Sequence, residues 1–199
     1  LTKDLGFEQF KNDNCLLKRR TMEGYTSLIV YVDDCFVISK QKKVRKTLDK
    51  VEKYFMIKRS SKINNFIGCK IRRDRNKIYL SQLDLIKIFY NNFKDKLKMN
   101  RTFKTPLEGS FKVIRSENKG AKLNDNKQKK YRSGVGLLLY LLKHSRPDLS
   151  KRIWELSKIM DRATEAHYKA LLKMIKFAID TKSQELILGP NKRNTWRIV

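Results

Sequence analysis

Apolar residues recur along this chain in two rhythms, and each change of rhythm marks an element. Asn14-Cys15-Leu16-Leu17 is a short apolar segment, followed by a polar stretch that runs to Glu23-Gly24. Ser27-Leu28-Ile29-Val30-Tyr31-Val32 and Cys35-Phe36-Val37-Ile38 are β-branched and aromatic runs with only Asp33-Asp34 between them. Two such runs joined by two residues predict an antiparallel hairpin over about 27–32 and 35–39, with Asp33 and Asp34 at its tip. The rhythm then turns helical. Val44, Leu48, Val51 and Phe55 recur at spacings of three and four, while Lys42, Lys43, Arg45, Lys46, Lys50 and Lys53 take other positions.

A second hairpin is expected from Asn65-Phe66-Ile67-Gly68-Cys69-Lys70-Ile71 and Ile78-Tyr79-Leu80-Ser81, across a charged turn of Arg72, Arg73, Asp74, Arg75 and Asn76. Ser81 is placed to cap a helix that begins near Gln82, with Leu83, Ile86, Tyr90 and Phe93 on one face and Leu85 and Phe89 beside it. Residues 108–130 are polar, rich in Lys and Asn and without sustained periodicity, which reads as a linker. Helices are expected over 131–143, over 148–161 with Leu149, Ile153, Leu156 and Met160 in register, and over about 165–181, packing Ala170, Leu171, Met174 and Ala178. Arg146-Pro147 breaks the first two. Leu186-Ile187-Leu188 and Trp196-Arg197-Ile198-Val199 read as short strands. The fold class is therefore α+β.

Composition narrows the function. A chain of 199 residues that is 40% hydrophobic can bury a core in one or two domains. Its net charge of +27 excludes an acidic or neutral surface and points to a polyanionic partner, most often nucleic acid. The abundance of Lys, Asn and Ile is also what AT-rich coding produces, so charge alone leaves both explanations open. Cys15, Cys35 and Cys69 are widely spaced with no C-x-x-C pair, which supports neither a disulfide framework nor a zinc site and favours a reducing compartment. His144 and His167 have no Cys or His neighbours and read as surface or core histidines. No apolar run approaches about 18 residues and no signal sequence opens the chain, so no membrane is expected. The chain starts at Leu1 rather than Met, as a piece of a longer one would.

Asp33-Asp34 is the most informative pair. A hairpin turn favours Asn-Gly, Asp-Gly or Gly, because its central residues need positive φ. Two adjacent aspartates there repel each other between apolar strands, a cost that a divalent cation removes. Magnesium, bound by carboxylates, waters and substrate phosphates, suits nucleotidyl transfer. An ordinary exposed polar turn is the competing explanation.

Tyr31-Val32-Asp33-Asp34 between apolar strands resembles the Y-x-D-D hairpin of reverse transcriptases. Further pieces resemble the copia-type retrotransposon reverse transcriptase in the same order: Leu5-Gly6-Phe7 with Asp13-Asn14-Cys15-Leu16; Phe66-Ile67-Gly68 with Ile71; Leu80-Ser81-Gln82; and Thr105-Pro106. Beyond these come Tyr131-Arg132 with Val135-Gly136, Tyr140-Leu141, Arg146-Pro147-Asp148, Leu156-Ser157 with Met160, and His167 with Ala170. The resemblance covers roughly residues 5 to 188.

That resemblance implies a right-hand polymerase. Residues 1–64 would be the last part of a palm, 65–107 a primer-grip hairpin and thumb, 108–130 a linker, and 131–199 a helical connection region leading towards a ribonuclease H domain. Asp33 and Asp34 would be catalytic carboxylates holding two magnesium ions with a third from an earlier palm strand. Asp4 and Asp13 precede the hairpin, but neither sits in the apolar strand context expected of that third carboxylate. Tyr31 would either pack in the palm core or lie beside the primer terminus. Gly68, Arg72, Arg73, Arg75 and Lys77, with Lys87, and with Lys94, Lys96 and Lys98 on or after the thumb helix, would contact nucleic acid. The implied partners are an RNA or DNA primer–template, deoxynucleoside triphosphates and the rest of a polyprotein, inside a cytoplasmic particle or the nucleus. Two other readings stay open: a non-catalytic nucleic-acid-binding remnant, and a general basic protein of ribosome or chromatin. Lacking fingers and a third carboxylate, the chain is expected not to polymerise alone.

Overall fold

Period-two alternation builds the first of two units, Leu1–Ile67; the second is Gly68–Val199. The computed structural model describes residues 5–22, 24–60, 62–97, 102–107, 111–113 and 120–190. In the first unit β1 (Glu8–Phe10), β2 (Asp13–Thr21), β3 (Gly24–Tyr31) and β4 (Asp34–Ile38) form an antiparallel sheet in chain order. The helix α1 (Gln41–Glu52) and a two-residue strand β5 (Asn65–Phe66) follow. Residues opposite one another on paired strands share a face. Leu17 faces Leu28 and Leu28 faces Val37, so these three form a row across the sheet. That row packs with Leu5, Phe7 and Val51 of α1, and Val30 and Ile57 lie against it. One face of the sheet is thus covered. The other carries Leu16, Lys18, Arg20, Ile29, Tyr31 and Phe36.

The strand β2 is longer than expected, running nine residues through Arg19 and Arg20 to Thr21. Charge is tolerated there for two reasons. Lys18 and Arg20 point to the uncovered face, where they lie over the Phe10 and Tyr25 rings. Arg19 points to the covered face but donates to the Leu5 carbonyl at 2.9 Å and to Thr47 Oγ1 at 3.1 Å. Pattern alone did not reveal β1. The buried stripe of α1 also differs from the expected one: Lys43, Thr47 and Val51 are buried, Val44 and Leu48 are half-buried, and Phe55 lies exposed beyond the helix end. Lys43 tolerates burial because its ammonium donates to Thr21 Oγ1 at 2.7 Å and the Gly24 carbonyl at 3.3 Å.

In the second unit β6 (Cys69–Asp74), β7 (Lys77–Ser81) and β8 (Leu186–Leu188) pair antiparallel, with β7 between the other two. The helices are α2 (Leu83–Phe93), α3 (Asp125–His144), α4 (Ser150–Ser157) and α5 (Glu165–Asp180). One core joins Phe89 and Phe93 of α2, Tyr131, Val135 and Leu138 of α3, Ile153 and Leu156 of α4, and Leu171 and Met174 of α5. The Tyr131 hydroxyl, buried among them, donates to the Leu156 carbonyl at 2.8 Å. Burial pushes its pKa up.

Several boundaries move. The charged residues expected in the second turn belong to β6 as far as Asp74, and only Arg75-Asn76 turn. Leu85, Ile86, Phe89 and Phe93 form the buried face of α2, while Tyr90 is exposed. Ser81 ends β7 and does not cap α2; Gln82 holds the N-cap position, and its Oε1 accepts from Ser145 Oγ at 2.8 Å. The linker expected over 108–130 gives way to α3 at Asp125, because Asn124 caps it by accepting from the Lys127 N–H at 3.0 Å. The helix expected over 148–161 is a 3-10 turn, Pro147–Leu149, followed by α4, which stops at Ser157. The strand expected at Trp196–Val199, with Asp4 and Lys98, lies outside the described residues. Among the described residues no helix is long and apolar enough to cross a membrane.

Candidate active site

Register decides where the two aspartates sit. Val30 faces Cys35 and Tyr31 faces Asp34, so the two-residue turn is Val32-Asp33 rather than Asp33-Asp34. Asp34 is the first residue of β4. The positive φ that the turn requires falls on Val32, at 51°. A β-branched residue in that region is a true outlier, costing about 1–3 kcal/mol, and such strain concentrates at functional sites. Val32 is also 83% exposed, so its side chain recovers little of that cost by packing.

Cross-strand pairing places Asp34 beside Tyr31, on the sheet face that α1 does not cover. Tyr31 is 43% exposed, so it does not serve as a core residue of this unit. Phe36, next along that face, packs on Phe66 with ring centroids 5.7 Å apart. Lys18 and Arg20 lie on the same face, and the apolar pattern, which ends at Leu17, carries no signal for them.

Asp33 and Asp34 are exposed, and among the described residues neither carboxylate has a hydrogen-bond or ion-pair partner. Asp49, Glu52, Asp84, Asp148, Glu155 and Asp180 all pair with basic side chains, whereas Asp95 and Asp125 are also without a partner among the described residues, so it is adjacency that sets Asp33 and Asp34 apart. Two neighbouring carboxylates left free in so basic a chain are a donor set that a hard cation fits. Asp13 opens β2; continuing the β2–β3 register brings it to the same end of the sheet as the tip. Its Oδ1 accepts from the Cys15 N–H at 2.9 Å. Among the described residues no three His, Cys, Asp or Glu side chains converge as a metal site.

The remaining expected contacts belong to the second unit. Gly68 has φ +67°, and a Cβ there would lie 3.0 Å from the Tyr140 hydroxyl, so a larger residue would be strained. Arg72 stacks on Tyr79 at 3.8 Å and pairs with Glu185 at 2.7 Å. Lys87 pairs with Asp84 at 2.9 Å. Arg73, Arg75 and Lys77 cluster exposed at the end of the β6–β7 hairpin, where Asp74 faces Lys77. The pairing of Arg72 with Glu185 spans 113 positions and has no local signal in sequence.

An antiparallel sheet covered on one face, presenting a free carboxylate pair at a strained tip, defines an α+β protein with a candidate cation site. Comparison with known proteins adds ancestry. The chain is 29% identical over 196 residues to the retrovirus-related Pol polyprotein from transposon RE1 of Arabidopsis thaliana, covering 96% of this chain and 12% of that polyprotein. It is 27% identical over 188 residues to the retrovirus-related Pol polyprotein from transposon TNT 1-94 of Nicotiana tabacum, covering 89% of this chain and 14% of that one. A putative transposon Ty5-1 protein of Saccharomyces cerevisiae is 26% identical over 183 residues, 91% of this chain and 58% of the yeast protein. These relatives support a retrotransposon Pol origin. The chain spans only a small part of the length of the two plant polyproteins. No family model and no solved structure matches it.

Proposed function

We propose that this chain carries the catalytic hairpin and adjoining nucleic-acid-holding elements of a retrotransposon RNA-directed DNA polymerase. The first unit is then the end of a palm, and the second its thumb and connection region. One observation carries the reading: Asp33 and Asp34 are exposed, and without a partner among the described residues, at a tip that Val32 holds in a strained conformation. Both would hold magnesium, which when bound neutralises phosphate charge and promotes attack by a primer hydroxyl. Tyr31 borders the primer end on the uncovered face, and Lys18 and Arg20 offer phosphate contacts beside it. Among the described residues Arg73, Arg75 and Lys77 have no partner and could meet phosphates, whereas the Tyr140 side chain fills the space beside Gly68. Arg72 and Lys87 would first have to release Glu185 and Asp84. RNA and DNA, deoxynucleoside triphosphates and the rest of a polyprotein are the partners of this reading.

Manganese tests it directly, because its paramagnetism broadens nearby amide signals. Titrated into the 199-residue chain with an RNA–DNA primer–template, it should broaden amides around residues 31–36 first. Asp33→Asn with Asp34→Asn should abolish that broadening. Broadening centred elsewhere, or unchanged in the variant, would refute the assignment.

A further inference from the structure

We propose that the outer face of α1 is a docking surface for the phosphate backbone of double-stranded nucleic acid, on the opposite side of the sheet from Asp34. Lys43, Thr47 and Val51 face the sheet, while Lys42, Arg45, Lys46, Lys50 and Lys53 are all exposed, Lys46 and Lys50 along one flank and Lys42, Arg45 and Lys53 further round. Among the described residues none of the five has a hydrogen-bond or ion-pair partner. Two carboxylates, Asp49 and Glu52, share that outer surface, but neither serves the lysines. Arg59 holds both, through Nη1 to Asp49 Oδ1 at 2.7 Å and through Nη2 to Glu52 Oε2. With Arg59 and these two carboxylates counted, the outer surface keeps a net charge of +4.

A solvated helix face ordinarily intersperses acidic residues with basic ones at spacings of three and four, as Asp49 does between Arg45 and Lys53, but the flank beside it has no such acid. Here Lys42, Lys46 and Lys50 form a like-charged i, i+4 series, which repels itself. No acidic residue lies in the first turn, where Lys42 and Lys43 meet the positive end of the helix dipole. A polyanion laid along the helix relieves both repulsions. From Lys42 to Lys53 the rise is about 16 Å. A duplex carries roughly one phosphate per 1.7 Å of axis with both strands counted, so about nine lie within that length and the side turned to the helix presents a fraction of them.

The proposal shares with the hairpin reading only the class of partner and does not involve Asp33 or Asp34. Its test measures the affinity of the full chain for a 20-bp RNA–DNA hybrid across salt concentrations. Replacing Lys42, Lys46, Lys50 and Lys53 together by Gln should lower the slope of log K against log salt by about three to four, since each phosphate contact contributes about 0.9. Replacing Lys104, Lys129, Lys143 and Lys151 by Gln removes the same charge from the second unit and should change the slope by less than about one. Arg59→Ala should weaken binding more than Lys46→Gln does, because it frees two carboxylates beside the ridge. Equal slope losses in the two quadruple variants, or none in the first, would overturn the proposal. A ridge that binds polyglutamate but not the duplex would assign it to an acidic protein and overturn it as well. The same slope loss must appear in an Asp33→Asn, Asp34→Asn background, so this surface and the hairpin can fail separately.

Discussion

Two glycines on α3 make a matched test of the helical core. Gly134 and Gly136 lie on the same helix, and helix propensity alone gives each Gly→Ala change about 1 kcal/mol of stabilisation. At Gly136 nothing lies within 4 Å of the new Cβ, so that gain should appear in full. At Gly134 the methyl would lie 2.9 Å from Leu171 Cδ2 and 3.0 Å from Phe93 Cζ. Leu171 is 0% and Phe93 3% exposed, so neither ring nor branch can swing into solvent. Overpacking of this kind costs about 1–3 kcal/mol, which matches or exceeds the propensity gain. Gly134→Ala should therefore lose up to about 2 kcal/mol where Gly136→Ala gains about 1. In a unit of this size the two melting temperatures should separate by several degrees. Thermal unfolding followed by helical circular dichroism reads the difference. Equal increases in Tm would show that Leu171 and Phe93 yield, and the close-packing argument would be wrong.

Two more expectations follow from strain and from titration. Val32→Gly should raise the hydrogen-exchange protection of the β3–β4 amides: relief of about 1–3 kcal/mol of strain exceeds the 0.4–1 kcal/mol of added unfolded-chain entropy. Unchanged or lower protection would mean that the tip stores no strain. His167 is pulled below its ordinary pKa by burial, and its Nδ1 accepts from the Thr164 N–H at 3.2 Å at the start of α5. Below about pH 6.5 the unfolded chain binds a proton that the folded chain resists, so stability should fall as pH drops from 7.5 to 5.5. His167→Gln keeps a capping acceptor and should flatten that dependence in urea titrations; an unchanged slope would place the titration elsewhere.

What the sequence determined by itself is whatever short-range periodicity encodes. The two β-branched and aromatic runs at 27–38, joined by two residues, specified a hairpin, the spacings of three and four at 82–93 and 165–178 specified amphipathic helices, and Leu186-Ile187-Leu188 specified a strand. These signals are local, because a side chain's direction along a strand or helix depends only on its own backbone. Tertiary structure decided the rest. Preference for positive φ would have placed Asp33-Asp34 in the turn, yet the pairing of Leu28 with Val37 over the covered core sets a register that forces Val32 into it. Lys43 takes a polar position in the helical pattern, but partners distant in sequence, Thr21 and Gly24, let it be buried, and Thr47 likewise lets Arg19 be half-buried. Arg72 read as a free phosphate contact until β8 brought the adjoining Glu185 against β6. In each case the deciding energy is a contact between residues far apart in the chain, which no local pattern carries.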